Sequence, residues 1–573
     1  MPDAAAPAPG TRGPSPLRHA PLLTLLVMLG PVAAGLLGTL GPAFGIMPAL
    51  GGFDPGLEHV RALVDWPGLP RAALLSLGTG VLSTALALAV AVLVCAGWQG
   101  TRAFAALERV LSPLLSVPHA AAAFGLAFLI APSGWIARAL APLAGWQSPP
   151  DVLILQDPLG LSLVAGLVVK EVPFLLLMTL AALPQLRVAQ SLATAQALGY
   201  GRVAAWFRVV LPRLYPRIRL PVYAVLAFSM SVVDVAMILG PSTPPTLSVQ
   251  VLRWMNDPDL GMRGTAAAGA LLQLALTVLA LAGWRLAEIA LARLRLRRIE
   301  AGGRGRAQPL LRAAGLTLGG LSGGAVVLGL AGLAVWSVAG FWGFPDLLPQ
   351  EMSGRTWMRH GMALSDPLAD TALIALASAG IALVLTLACL EAEHRFGLRP
   401  GTRALWLLYL PLIVPQIAFL PGLQMLGIVT GIDGNLPAVV AVHVVFVLPY
   451  VFLSLADPYR AWDPQLGAVG HALGAGPARV FWRLRLPMLL RPVLTAAAVG
   501  CAVSVGQFLP TLLIGGGRVQ TLTTEAVALA SGGNRRVIGA TALAQTGAAL
   551  LPFAAALLIP ALVWRNRRGL HHG

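Results

Sequence analysis

Residues 72–97 read AALLSLGTGVLSTALALAVAVLVCAG, twenty-six positions without a charged side chain. A bilayer core of about 30 Å takes about 20 apolar residues in helical form, so this run is long enough to cross. Working outward, eleven further runs of the same character follow. They lie at roughly 21–45, 110–132, 158–183, 217–240 and 264–290, then 313–342, 368–390, 404–428, 435–456, 492–515 and 537–563. The expectation is an all-α polytopic membrane protein of about twelve transmembrane helices. Pro118, Pro415 and Pro421 interrupt the third and ninth runs, which is tolerated where neighbouring helices satisfy the freed carbonyls. The first run lacks a clear small-residue cleavage site and reads as an uncleaved anchor.

Composition agrees. Of 573 residues, 57% are hydrophobic and 11% charged, against roughly 25% charged in a soluble domain, which argues against a multidomain soluble enzyme. The 63 Gly and 46 Pro sit among Leu, Ala and Val, as in membrane helices rather than disordered chains. The basic side is nearly all arginine, with Lys170 the single lysine. Val169 precedes it and Glu171 follows, so the chain cannot carry the Gly-Lys-Ser/Thr phosphate loop of an ATPase.

The net charge of +17 is concentrated after the fourth span (Arg187 to Arg219), the sixth (Arg285 to Arg312) and the tenth (Arg460 to Arg491), and in the tail (Arg565, Arg567, Arg568). The opposite loops carry Asp54, Glu58, Asp65, Asp151, Asp157, Asp257, Asp259, Asp346 and Glu351. That asymmetry places both termini in the cytoplasm and explains the charge without a nucleic-acid partner. No loop has room for a soluble catalytic domain. Cys95, Cys389 and Cys501 lie in apolar surroundings without ligand spacing, so no metal or other cofactor is expected. Gly320 to Gly324 formally matches GxSxG but lies inside an apolar span, without the strand–turn–helix context that motif needs.

The chain repeats itself. Residues 193–212, ATAQALGYGRVAAWFRVVLP, align without a gap at an offset of 275 with residues 468–487, AVGHALGAGPARVFWRLRLP. Eight of twenty positions are identical, and other echoes occur in the same order. Gly240 pairs with Gly515, and Thr246-Leu247 with Thr521-Leu522; Val117-Pro118 echoes Val414-Pro415, and Pro173-Phe174 echoes Pro449-Tyr450. Two six-span halves from one ancestral unit follow, at 1–300 and 301–573, divided by the arginine- and glycine-rich stretch around 285–312. Within the repeat, Gly199 and Gly474 allow a sharp turn between short helices. The pairs Trp206-Phe207 and Phe481-Trp482 offer a hydrophobic knob. Such a segment is either an amphipathic helix lying on the headgroups or a docking surface for a cytoplasmic partner, present twice.

The pattern Gly, nine residues, aliphatic, one residue, Leu-Pro runs from Gly199 through Val209 to Leu211-Pro212, and from Gly474 through Leu484 to Leu486-Pro487. It resembles the "EAA loop" of permease subunits of bacterial ABC importers. The two-halves layout is similar to the fused thiamine, ferric iron and polyamine permeases. The resemblance implies an inner-membrane subunit without its own ATPase site. Two cytoplasmic ATPase subunits would dock on the loops through Gly199, Trp206, Phe207, Arg208, Leu211, Pro212, Gly474, Phe481, Trp482, Arg483, Leu486 and Pro487. A periplasmic binding protein would deliver a small solute of the thiamine, ferric iron or polyamine class. The acidic residue that opens the family motif is replaced by Ala193 and Ala468, so docking would rest on shape, aromatics and arginines.

Ionisable residues inside spans are functional candidates. Lys170, Glu171, Asp234, His443 and Gln507 are the candidate translocation path; the alternative is that Lys170 pairs with Asp234 or Glu171 to hold helices together. His119 and Gln416, after the equivalent prolines, read either as further polar lining or as packing, with packing favoured. Two other classes remain open: an ion-coupled secondary transporter, which gives no reason for two such loops, and a membrane-embedded lipid-modifying enzyme, for which no catalytic cluster is apparent.

Overall fold

The computed structural model describes residues 16–48, 51–300, 308–398 and 401–564. The linker arginines Arg304 and Arg306 and the tail arginines lie outside them. Among the described residues the long elements are all helices. Those used below are α1 (Ala20–Ala43), α2 (Leu69–Trp98), α3 (Arg102–Ser116), α4 (His119–Ile130), α5 (Leu161–Ala182), α6 (Val188–Ala197), α7 (Leu211–Ser231), α8 (Asp234–Leu239) and α9 (Met262–Glu300). The second series is α10 (Gln308–Val338), α11 (Ser365–Phe396), α12 (Thr402–Ile413), α13 (Gln416–Thr430), α14 (Leu436–Arg460), α15 (Pro464–Ala472), α16 (Leu490–Val505), α17 (Leu509–Gly515) and α18 (Arg535–Val563).

Among the described residues nine helices are long and apolar enough to cross a membrane, or up to eleven segments if two bent pairs each count as one. The protein is thus an all-α polytopic membrane protein, and fewer single helices than the twelve apolar runs are long and apolar enough to cross, for a physical reason. The apolar run at 217–240 divides between α7, which opens with Arg213, Arg217 and Arg219, and α8, with a break at Val232 and Val233. The third and ninth runs break at the same dipeptide. Val117 and Val414 are extended (ψ 124° and 122°), because the residue before a proline is pushed out of the helical region. Pro118 and Pro415 then open α4 and α13, and the second bend turns the chain by 83°. A fourth break, at Gly506 to Phe508, separates α16 from α17.

The first helix of each half packs on the other half. Helix α1 lies along α13, and α10 lies along α4 and α2. Lipid supplies no hydrophobic drive for helix association, so small residues that let backbones meet are favoured. A Cβ on Gly422 would stand 2.0 Å from the Gly35 carbonyl oxygen. Thr39 Oγ1 donates to the Ala418 carbonyl at 3.0 Å and accepts from the Gly422 N–H at 3.2 Å. Gly125 and Gly329 form the matching contact, a Cβ on the first standing 2.8 Å from the backbone of the second.

Candidate coupling loops and translocation path

The two repeated segments adopt one backbone design. Helix α6 ends where Gly199 takes φ +83°, and α15 ends where Gly474 takes φ +80°. The N–H of Tyr200 returns to the Ala195 carbonyl at 3.2 Å, and that of Gly199 to Gln196 at 2.9 Å. The second copy repeats both bonds, Ala475 to Gly470 at 3.0 Å and Gly474 to His471 at 2.9 Å. This is the Schellman cap, in which a left-handed glycine satisfies the last carbonyls. Extended Gly201 and Gly476 then start a single helical turn.

Each turn widens into a π-type turn, Trp206–Val210 and Phe481–Arg485, closed by Leu211 N–H to Trp206 and Leu486 N–H to Phe481. The cause is the following proline. Pro212 and Pro487 have no N–H and crowd the carbonyl four residues back, and a wider turn relieves that contact. The carbonyl freed in the first copy, that of Arg208, accepts from Arg295 Nη1 at 3.2 Å.

Side-chain environments differ where the backbones agree. Trp206 is fully buried, its Nε1 donating to Gln99 Oε1 at 3.3 Å, whereas Trp482 is 65% exposed. Phe207 and Phe481 are half-buried. The first loop therefore turns its tryptophan inward as an anchor, and only the second presents one outward. Arg208 lies 4.8 Å over the Tyr200 ring, and Arg483 is exposed. Leu211, Pro212 and Leu486 are half-buried, and Pro487 is exposed. The exposed tips are Leu198 and Leu473, at 64% and 82%. Sequence reading passed over them, although Leu-Gly is identical in both copies. Ala193 and Ala468 are exposed on the same helices.

The candidate path residues separate into two groups. Lys170 donates to the carbonyls of Leu114 at 3.2 Å and Leu115 at 2.9 Å. In an unbroken helix the Leu114 carbonyl would pair with residue 118, which is a proline, so the ammonium caps the break instead. His443 is fully buried, with Nδ1 2.8 Å from Ser504 Oγ and Nε2 2.9 Å from Thr511 Oγ1, tying α14 to α16 and α17. Glu171, the neighbour of Lys170, turns to His119, Oε1 to Nε2 3.6 Å. His119 stands 4.9 Å from the Phe228 ring, with buried Asp234 within its electrostatic reach. Tyr450 of the second half lies within reach of Glu171. Gln507 accepts from Gln416 Nε2 at 3.1 Å.

The polar groups thus gather at the four helix breaks: His119 and Asp234 in one half, Gln416 and Gln507 in the other. Irregular backbone at membrane depth is tolerated where it is covered by protein or lines a cavity, and broken helices mark transport sites. No group of three or more potential metal ligands occurs among the described residues.

A polytopic helical protein with duplicated Gly-turn loops and polar groups at paired helix breaks is built as a membrane transport subunit. Residues 386–563 match the family described as binding-protein-dependent transport system inner membrane component. The chain is 34% identical over 97% of its length to the inner membrane ABC transporter permease protein YnjC of Escherichia coli, covering 99% of that protein. It is 31% identical over 185 residues, 28% of this chain, to the molybdenum transport system permease protein ModB of Mycobacterium bovis and of Mycobacterium tuberculosis, covering 68% of each. The chain belongs to the binding-protein-dependent ABC permease family. It is a fused, multi-pass inner-membrane transport subunit of an ABC importer rather than an enzyme, and permeases of this family work with an ABC ATPase and a binding protein.

Proposed function

We propose that residues 1–300 and 301–573 are the two permease halves and that each presents one cytoplasmic loop to one ATPase subunit, both termini lying on that side. The observation that carries this is the duplicated Schellman turn with its proline-driven wide turn, which holds Leu198 and Leu473 outward in the same frame. ATP-driven closure of the ATPase pair then rocks the halves about the broken helices, where His119, Glu171, Asp234, Gln416 and Gln507 line the route. A binding protein delivers the solute from the periplasm. Glu171 and Asp234 favour a solute that carries positive charge or donates hydrogen bonds, such as one of the thiamine, ferric iron or polyamine class. The ModB relatives are named for molybdenum, which makes a molybdenum oxyanion the second reading.

Cys95, Cys389 and Cys501 are buried, so Leu198→Cys and Leu473→Cys introduce addressable thiols. Each should cross-link to one ATPase subunit in the purified complex. Uptake by this chain alone in ATP-free vesicles would sink the reading. A ligand screen on the cognate binding protein, with thiamine, ferric iron, polyamines and molybdate, separates the substrate classes.

A further inference from the structure

The two loops are fastened to their spans by different chemistry. In the first copy, Arg202 donates to the Ala96 carbonyl at 3.3 Å and to that of Gln99, and the Val203 N–H meets Gln308 Oε1 at 2.8 Å. The partners of Arg202 and Val203 are all neutral, and the one further arginine, Arg295, meets a backbone carbonyl, that of Arg208, at 3.2 Å. Position 210, the last of the wide turn, is a buried valine. The equivalent position of the second copy is Arg485, and it is 3% exposed.

Arg485 Nη1 pairs with Glu391 on α11 and donates to Tyr459 Oη on α14 at 3.2 Å. Its Nη2 stands 2.6 Å from His394 Nε2, and its guanidinium lies 4.3 Å over the Trp462 ring. Glu391 also accepts from Tyr459 Oη and from Arg395 Nε, the latter at 2.6 Å. Beside it on the same two helices, Arg460 holds Glu393 at 2.9 Å. A buried ion pair contributes little net stability over an apolar filling, but removing one partner strands the other charge. Its use is therefore better sought in geometry than in stability.

We propose that the Glu391–Arg485–Tyr459 cluster is the positioning element that transmits motion of the second coupling loop into spans α11 and α14, and that Val210, the counterpart of Arg485 in the first loop, makes no such link; the ion pair of the first copy, Arg219 with Glu288, lies beyond the wide turn and joins α7 to α9. The guanidinium fork fixes three elements at once, which a valine cannot do. Glu391 and Tyr459 are positioning residues, touching neither solute nor ATPase. The proposal rests on the docking role of the loops.

The test uses the full permease with its ATPase subunits in lipid nanodiscs, spin-labelled at two pairs of exposed positions and measured with and without ATP. The loop pair is Gln190→Cys with Gln465→Cys, equivalent exposed positions on α6 and α15 away from the docking tips. The span pair is Leu74→Cys with Leu373→Cys, on α2 and α11. In the unaltered background ATP should shift both distances. With Glu391→Gln the loop pair should still shift, while the population showing the span shift falls about fivefold or more. Tyr459→Phe, which removes one hydroxyl and keeps the ion pair, should give a smaller loss in the same direction, and it decides the matter if Glu391→Gln fails to assemble. Equal span shifts in the unaltered and variant proteins would overturn the proposal. No ATP-dependent shift of the loop pair in the unaltered protein would instead defeat the docking reading beneath it.

Discussion

Consider the methyl group added by Gly474→Ala. No atom lies within 4 Å of the position a Cβ would take, so the change creates no clash, and its whole effect falls on the backbone. At φ +80° an L-residue pays about 1–2 kcal/mol relative to glycine. No contact of the added methyl offsets that cost, so it shifts the population toward turns with other dihedrals. About 1.4 kcal/mol is a factor of ten, and apparent affinity falls with the competent fraction. ATPase binding to the nanodisc-embedded permease should weaken roughly tenfold for this substitution, similarly for Gly199→Ala, and up to about a hundredfold for both, since separate sites add.

The internal control is Gly476→Ala. Gly476 also has open space around a Cβ, but its backbone is extended (φ −68°, ψ 163°), which alanine adopts freely, so affinity should not change. Gly474→Asn should recover part of the loss, because asparagine tolerates the left-handed region. Titration of labelled ATPase by fluorescence anisotropy reads all five variants. If Gly474→Ala binds as the parent does, or if Gly476→Ala loses as much, the turn is not what the ATPase recognises.

Four further outcomes follow from the geometry. Trp206→Ala should lower thermal stability in detergent by about 3–5 kcal/mol, as emptying a core site does, while Trp482→Ala should change stability by no more than about 0.5 kcal/mol yet weaken ATPase binding; a reversed pattern in differential scanning would contradict the assigned orientations. Gly422→Leu should prevent α1 from seating on α13, read as protease sensitivity of the α1 region in membranes, whereas Gly30→Leu, with nothing nearby, should be tolerated. Lys170→Met should cost about 1–3 kcal/mol by leaving the Leu114 and Leu115 carbonyls unpaired, without altering which solute is transported. Asp157 caps the start of α5, accepting from the N–H groups of Leu161 at 2.8 Å and Ser162 at 2.9 Å; burial pushes its carboxyl up, but hydrogen bonds from Ser162, Leu161 and Leu159 outweigh that and hold it below the usual range. Its stabilising contribution is therefore present above the ordinary carboxylate pKa of about 3.9 and lost as pH falls through the lower folded value, so an acid-unfolding curve of Asp157→Asn should lack that component.

What the sequence made legible was backbone. Run lengths gave the helices, Val-Pro gave two of the four breaks, and the 275-residue offset gave both loops down to the glycine that turns them. These follow from local rules that act within a few residues. The break at Val232 was not legible, because nothing in an apolar run with β-branched residues marks a helix end. Side-chain fate was harder. The order of the aromatic pair is reversed between the copies, so Trp206 takes the inward position that Phe481 takes in the second loop, where Trp482 falls on the outward one; Gln99 then completes the burial of Trp206. Lys170 stands out in the sequence because charge at membrane depth is rare, but the carbonyls it caps, among them that of Leu114 facing Pro118, lie more than fifty residues away and leave no local mark. Leu198 and Leu473 were overlooked because an exposed leucine carries no chemical signature.

The swapped first helices bear on how the two halves can move. Because α1 is locked to α13 through Gly35, Gly38 and Gly422, and α10 to α4 through Gly125 and Gly329, separating the halves would open two close-packed crossings whose filling groups are backbone atoms. Close-packed interfaces switch between discrete arrangements and do not stretch. Helices α4 and α13 are also the ones that begin at the Val-Pro breaks and carry His119 and Gln416. The least costly motion is therefore rotation of each half about these crossings, which changes the angle at the breaks and so the spacing of the polar groups there. On the coupling proposed above, rigid contact near the breaks and a guanidinium link at the second loop would serve the same end: both would let a displacement at the loops arrive at the middle of the membrane without being absorbed on the way.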